Sequence, residues 1–202
     1  MEKLIVEIGI KLDNNMFCYD KILKEHGLTN VFTAVTHDIY YTNRDLRDCD
    51  EYEIKQACIR LRTGHEREKT PRNYYDVQNN LIKDFEISKV SYDELNDFED
   101  KLKQNGYTKV IDTMKIDYHY CNDGMKSRVQ LQETEGLGLI LYYDNPDYYG
   151  YELLEQRKML IDELNSYGFD INYEQEGIDK LRTLYNKEEK YSLNQNTTYT
   201  WQ

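Results

Sequence analysis

Residues 5–12 read Ile-Val-Glu-Ile-Gly-Ile-Lys-Leu. Side chains alternate between the two faces of an extended strand. Val6, Ile8, Ile10 and Leu12 therefore share one face, and Glu7, Gly9 and Lys11 the other. A carboxylate and an ammonium stand on one surface across a glycine. The pattern recurs with basic residues in Arg60-Leu-Arg62 and in Lys126-Ser-Arg128-Val-Gln130-Leu-Gln132. Several strands with charge on one face and aliphatics on the other describe a sheet curled around a polar, cationic interior. Guanidinium and ammonium groups in such an interior form charge-assisted bonds to the oxygens of a polyanion. The same alternation also fits an open sheet whose charges meet water, with Arg60 and Arg62 bridging to acidic neighbours.

The positive groups stand against an acidic background. The 202 residues carry 26 Lys and Arg against 38 Asp and Glu, a formal net charge of −12. That balance disfavours nonspecific binding to nucleic acid or to an anionic membrane, so neither is expected as a partner. With 39% hydrophobic residues, 2 Pro and 10 Gly, the chain reads as globular and free of long linkers. The 20 Tyr suit half-buried strands. Leu137–Tyr143 is the longest apolar run and is too short to span a bilayer. No signal peptide is evident. Cys18, Cys49, Cys58 and Cys121 form no CxxC pair, and His26, His37, His65 and His119 show no ligand spacing. A cytoplasmic protein with reduced thiols is expected.

The elements that must position these groups follow from periodicity and caps. Residues 3–12 read as a strand, and Asp13-Asn-Asn15 caps a helix over 16–26 that Gly27 ends. Strands are predicted over 31–41, 53–63, 81–90, 109–120, 125–133 and 139–144, with a turn at Asn122-Asp-Gly124. The charged stretch 64–80 gives no clear element. Ser91-Tyr-Asp-Glu94 is a capping box opening a helix to about 105. Apolar spacing predicts helices over 148–167 and 175–187. Gly136 and Gly138 read as bend residues. The fold class is α+β: an antiparallel β-barrel or tunnel of about eight strands with helices packed outside, those at 91–105 and 148–167 covering the apolar strand faces. Residues 1–187 read as a single domain and 188–202 as a polar C-terminal tail.

Five short segments, in order, resemble the CYTH family, the triphosphate tunnel metalloenzymes. Val6-Glu-Ile-Gly-Ile-Lys11 resembles the family's opening Glu-x-Glu-x-Lys. Thr36-His-Asp-Ile-Tyr-Tyr41 is similar to its Gln-x-Asp-x-Tyr-Tyr strand, and Ala57-Cys-Ile-Arg-Leu-Arg62 to its Leu-Arg-Ile-Arg strand. Lys115-Ile-Asp-Tyr-His-Tyr120 resembles Lys-x-Arg-x-x-Tyr. Gln132-Glu-Thr-Glu-Gly-Leu-Gly138, with the strand after it, resembles Asp-x-Val-x-Gly-Leu-Gly followed by Glu-Ile-Glu.

The resemblance implies a closed antiparallel tunnel that grips a triphosphate such as tripolyphosphate, thiamine triphosphate or a nucleotide. It implies Mg²⁺ or Mn²⁺ as cofactor, and triphosphatase or adenylate cyclase activity. Lys11, Arg60, Arg62, Lys115 and Arg128 carry over as phosphate-binding residues, and Lys126 joins them by strand parity with Arg128. Glu7 and Asp144 carry over as metal ligands. The family's other carboxylates fall on Gly9, Gln132 and Tyr142, and its Arg two residues after Lys115 is Asp117. A hard cation binds weakly once ligand charge is removed. Either Asp38, Asp117 or Glu133 rebuilds the metal site, or the domain binds a phosphoanion, or a partner, without catalysis. No catalytic residue is singled out, and the oligomeric state stays open.

Overall fold

The computed structural model describes residues 6–66, 69–83, 85–122, 128–172 and 179–195, with 188–195 described by backbone alone. Among these residues eight strands form one antiparallel sheet: β1 (Ile8–Lys11), β2 (Thr29–Thr42), β3 (Ile59–Glu66), β4 (Tyr74–Gln78), β5 (Lys89–Ser91), β6 (Thr108–Cys121), β7 (Arg128–Thr134) and β8 (Gly138–Asp144). Their spatial order is β1-β8-β7-β6-β2-β3-β4-β5. Five helices accompany them among the described residues: α1 (Met16–Glu25), α2 (Glu51–Ala57), α3 (Leu95–Gln104), α4 (Leu153–Ser166) and α5 (Lys180–Gln195). The α+β class expected from the sequence is the one observed. No described helix is long and apolar enough to cross a membrane, and the four cysteines form no disulfide.

The chain divides into two compact units. Unit 1 comprises 1–35, 66–68 and 115–178, and unit 2 comprises 36–65, 69–114 and 179–202. In unit 1, Ile8 and Ile10 of β1, Val129 and Leu131 of β7, and Leu141 and Tyr143 of β8 turn one face to the core. There they pack on Leu23 of α1 and on Leu160, Ile161 and Leu164 of α4. In unit 2, Ile39 and Tyr41 of β2 and Ile59 and Leu61 of β3 pack on Phe98 and Leu102 of α3. Each such buried aliphatic side chain contributes about 2 kcal/mol through removal from water. In both units the parity read from the sequence holds: aliphatics cover the helix-facing side, and the polar residues take the other.

The largest departure lies at 51–57. The sequence predicts a strand from residue 53, but Glu51–Ala57 is helical, and the strand is confined to Ile59–Glu66. A reciprocal capping box explains it: Asp50 accepts from the Glu53 amide and Glu53 accepts from the Asp50 amide. Ile54 and Ala57, the buried residues of this helix, stand three apart, a helical spacing. At its far end Asn79, at φ 54°, donates from Nδ2 to the carbonyls of Lys55, Gln56 and Cys58. Asn is among the few residues that adopt this left-handed conformation readily, and its amide satisfies carbonyls that the helix end leaves open. The stretch 64–80 contains β4, whereas the strand expected over 81–90 shrinks to β5, with Leu81 exposed. The helix expected over 148–167 begins at Leu153, after a 3-10 turn at Pro146–Tyr148. The helix expected over 175–187 runs Lys180–Gln195, and Glu51 accepts from the Leu181 and Arg182 amides in its first turn. The turn predicted at 122–124 falls largely outside the described residues.

Candidate functional site

The polar face of unit 1 is organised in transverse rows by its strand register. Asp144 of β8 pairs with Arg128 of β7, and Arg128 with Cys121 of β6. One row further, Gly9 pairs with Tyr142, Tyr142 with Gln130, and Gln130 with His119. The next row runs Lys11, Ile140, Gln132, Asp117. Lys115 faces Thr134 in the row after that, and Thr134 faces Gly138.

A cavity of about 450 Å³ opens on the first two rows, and Glu7, Arg128 and Asp144 line it together. Three of the site residues read from the sequence thus converge on one space. Burial, and then the Asp144 charge, raise the Glu7 carboxyl above its ordinary range. Tyr149 donates its hydroxyl to Asp144. Burial, followed by that hydrogen bond, pushes the Tyr149 phenol up to about 12, so it serves Asp144 as a donor. Lys11 is exposed on β1 and Lys115 is buried on β6, both on the polar face of this unit. Lys126 lies outside the described residues.

Unit 2 holds Arg60 and Arg62. Arg62 grips Asp38 through Nε–Oδ1 at 2.6 Å and Nη2–Oδ2 at 2.7 Å. Arg60 donates from Nε to the Gln78 side-chain oxygen at 2.6 Å, its register partner on β4. Asp38 is fully buried, and Tyr40 approaches it with a hydroxyl at 3.4 Å. Burial and the Asp38 charge raise the Tyr40 phenol to about 12. The bridging of an arginine to an acidic neighbour, one of the two sequence readings, is therefore what Arg62 does.

The carboxylates considered as replacement metal ligands have other partners. Asp38 holds Arg62. Asp117 accepts from Gln130 Nε2 at 2.7 Å and from Gln132 Nε2. Glu133 accepts the Tyr118 hydroxyl at 3.0 Å. Among the described residues no three His, Cys, Asp or Glu side chains are placed to hold a metal ion. Glu7 and Asp144 make two. Mg²⁺ commonly takes one or two carboxylates and completes its shell with water and substrate phosphate, so this pair fits a cation that arrives with its ligand, not a permanent metal cage.

Sequence reasoning missed part of the cavity wall. Phe32 and His119 line it, their rings stacked at 4.0 Å between centroids. The available signal was parity: His119 stands four residues after Lys115 on β6, hence on the same face. Tyr142 also lines the cavity, and Gly9 accommodates it. A Cβ built at Gly9 would lie 3.2 Å from Tyr142 Cε1.

No family model matches the sequence, and no curated protein matches it. Solved structures do. The PH1012 protein from Pyrococcus horikoshii is 14% identical, with a TM-score of 0.52 over 90% of this chain and 99% of its own. A conserved hypothetical protein from Pyrococcus furiosus has the same identity, TM-score and coverage. A candidate adenylate cyclase from Vibrio parahaemolyticus is 14% identical, with a TM-score of 0.52 over 94% of this chain and 99% of that one. At such identities the likeness is one of fold. The fold is a divergent form of the CYTH fold, as the five sequence segments suggest.

Proposed function

We propose that this chain binds a phosphate chain of the triphosphate kind in the unit 1 cavity. Arg128 supplies the guanidinium, while Glu7 and Asp144 would hold a Mg²⁺ or Mn²⁺, which would neutralise phosphate charge. Lys11 and Lys115 add positive charge on the same face. The observation that carries the reading is the convergence of Glu7, Asp144 and Arg128 on one cavity. A phosphate chain brings its own oxygen ligands, so two protein carboxylates would suffice to hold a Mg²⁺ or Mn²⁺. Arg60 and Arg62 are further phosphate-binding candidates, in unit 2, and the partners Gln78 and Asp38 compete for them.

Isothermal calorimetry of the full chain with tripolyphosphate, with and without Mg²⁺, tests the reading. Binding should strengthen with the cation, and Arg128→Ala should weaken it by about 2 kcal/mol, the scale of a charge-assisted bond. Unchanged affinity in Arg128→Ala would remove this cavity from the assignment.

A second reading, hydrolysis or cyclisation of the bound triphosphate, is favoured by one observation. Glu7 lines the same cavity, and burial, then the Asp144 charge, raise its carboxyl above its ordinary value. Gly9, Gln132 and Tyr142, at positions where the resemblance expects carboxylates, weigh against it. Release of phosphate from tripolyphosphate, thiamine triphosphate or ATP that is abolished in Glu7→Gln would make it the better reading.

A further inference from the structure

The unit 1 cavity has an aromatic side as well as a charged one. Phe32 of β2 is 41% exposed, although the β2 positions of the same parity nearer its end, Asp38, Tyr40 and Thr42, carry polar groups. One of its faces rests on His119, with the ring planes 16° apart. Strand pairing sets His119 on one side of Gln130 and Tyr142 on the other. An aromatic ring therefore stands on each strand flanking the Gln130 amide, and all four side chains line the cavity. Arg128, Glu7 and Asp144 lie one row away along the same strands.

Two local features keep this row in place. Gly9, by lacking a side chain, lets the Tyr142 ring approach the β1 backbone, where a Cβ would stand 3.2 Å from Cε1. The Gln130 amide donates from Nε2 to Asp117, which fixes its orientation between the rings. Burial lowers the His119 pKa, so the imidazole presents a neutral ring and not a second cation. Partly exposed aromatic surface is unfavourable in an idle cavity, but it is what a flat ligand needs. Bases stack on such side chains because every heteroaromatic ring has a π face.

We propose that Tyr142, Gln130, His119 and Phe32 form a stacking subsite for a planar heteroaromatic ring, which lies beside the phosphate chain of the same ligand. The site then selects organic triphosphates carrying such a ring over inorganic polyphosphate. The aromatic row occupies positions, 9 and 142, at which the resemblance expects metal-binding carboxylates. This inference rests on the phosphate-chain reading of the same cavity.

Calorimetric titration of the full chain with ATP, tripolyphosphate and adenosine, all with Mg²⁺, tests it. ATP should bind about tenfold or more tightly than tripolyphosphate, the gain expected of a single stacked base. Tyr142→Ala and Phe32→Leu should each erase most of that preference and leave tripolyphosphate affinity unchanged, whereas Tyr142→Phe should keep it. Thermal unfolding by circular dichroism verifies that each variant is folded. Equal affinity for ATP and tripolyphosphate, or an equal loss for both in Tyr142→Ala, overturns the subsite and leaves the phosphate reading standing. Adenosine binding that Tyr142→Ala removes, with no tripolyphosphate binding, supports the subsite and overturns the phosphate reading. Absence of binding by all three overturns both.

Discussion

The two units treat similar strand patterns differently. In unit 2 the arginines of β3 are absorbed by the protein itself. Arg62 makes a two-bond pair with a fully buried Asp38, and Arg60 bonds Gln78. In unit 1 the exposed Arg128 shares an open cavity with two carboxylates that repel one another. Alternating basic residues thus have two outcomes here, pairing within the protein and placement at a cavity. The deciding factor is what the adjacent strands place opposite. Against a buried carboxylate Arg62 finds a partner within the protein, whereas Arg128 lines a cavity.

The largest effect that separates the units is on stability. Arg62→Ala leaves the Asp38 carboxylate buried without its guanidinium and should cost about 3 kcal/mol in urea unfolding, the scale for breaking a buried pair from one side. Asp38→Asn should cost about half as much on the same scale, because the Arg62 side chain is 35% exposed and can turn to water. Arg128→Ala should change stability by less than about 0.5 kcal/mol, as an exposed substitution does. Equal costs at 62 and 128 would dissolve the contrast.

The next effect concerns the cation site proposed for unit 1. Gly9→Glu combined with Tyr142→Glu would add two carboxylates beside Glu7 and Asp144. Mn²⁺ affinity, followed by electron paramagnetic resonance, should rise at least about tenfold, or roughly 1.4 kcal/mol. Gly9→Glu alone should gain less, because its Cβ meets the Tyr142 ring. No gain in the double variant would mean that these rows do not converge on a cation.

The smallest effect is in the pH dependence of unit 1. The Glu7 pKa is raised above 4.5 in the folded chain, so the folded state holds its proton more tightly than the unfolded state. Ionisation therefore costs stability. The cost is absent below the unfolded value, grows as pH rises through the window up to the folded value, and is constant above it. Glu7→Gln should stabilise the protein slightly at neutral pH, by less than about 0.5 kcal/mol after screening by solvent. It should do nothing below pH 4.5. Equal stabilisation at low pH would point to packing and not to charge.

Strand parity was the most legible part of this molecule. Ile8 and Ile10 against Glu7 and Lys11, or Leu61 against Arg60 and Arg62, are local alternations that any strand expresses. The non-local partners were not legible. Asp38 is fully buried because Arg62, 24 residues later, faces it. Asp117 and Gln132 stand where the resemblance expects Arg and Asp, and they meet as register partners. Helix α2 reads as a strand in the sequence because seven residues carry little period, although Asp50 and Glu53 hold its capping signal. The aromatic side of the cavity was hidden for a similar reason: Phe32 and His119 come together only once β2 and β6 are in place.

The hydrogen bonds from the first turn of α5 to Glu51 span 130 residues. During vectorial synthesis the Glu51 carboxylate leaves the ribosome on the order of ten seconds before its partners exist, at ordinary elongation rates. Leu181 and Leu184 are buried in the folded protein, so the nascent chain lacks this packing until the segment that carries them has been made. Unit 2 therefore cannot complete its packing before α5 has been made, and α5 closes contacts that Glu51 leaves waiting.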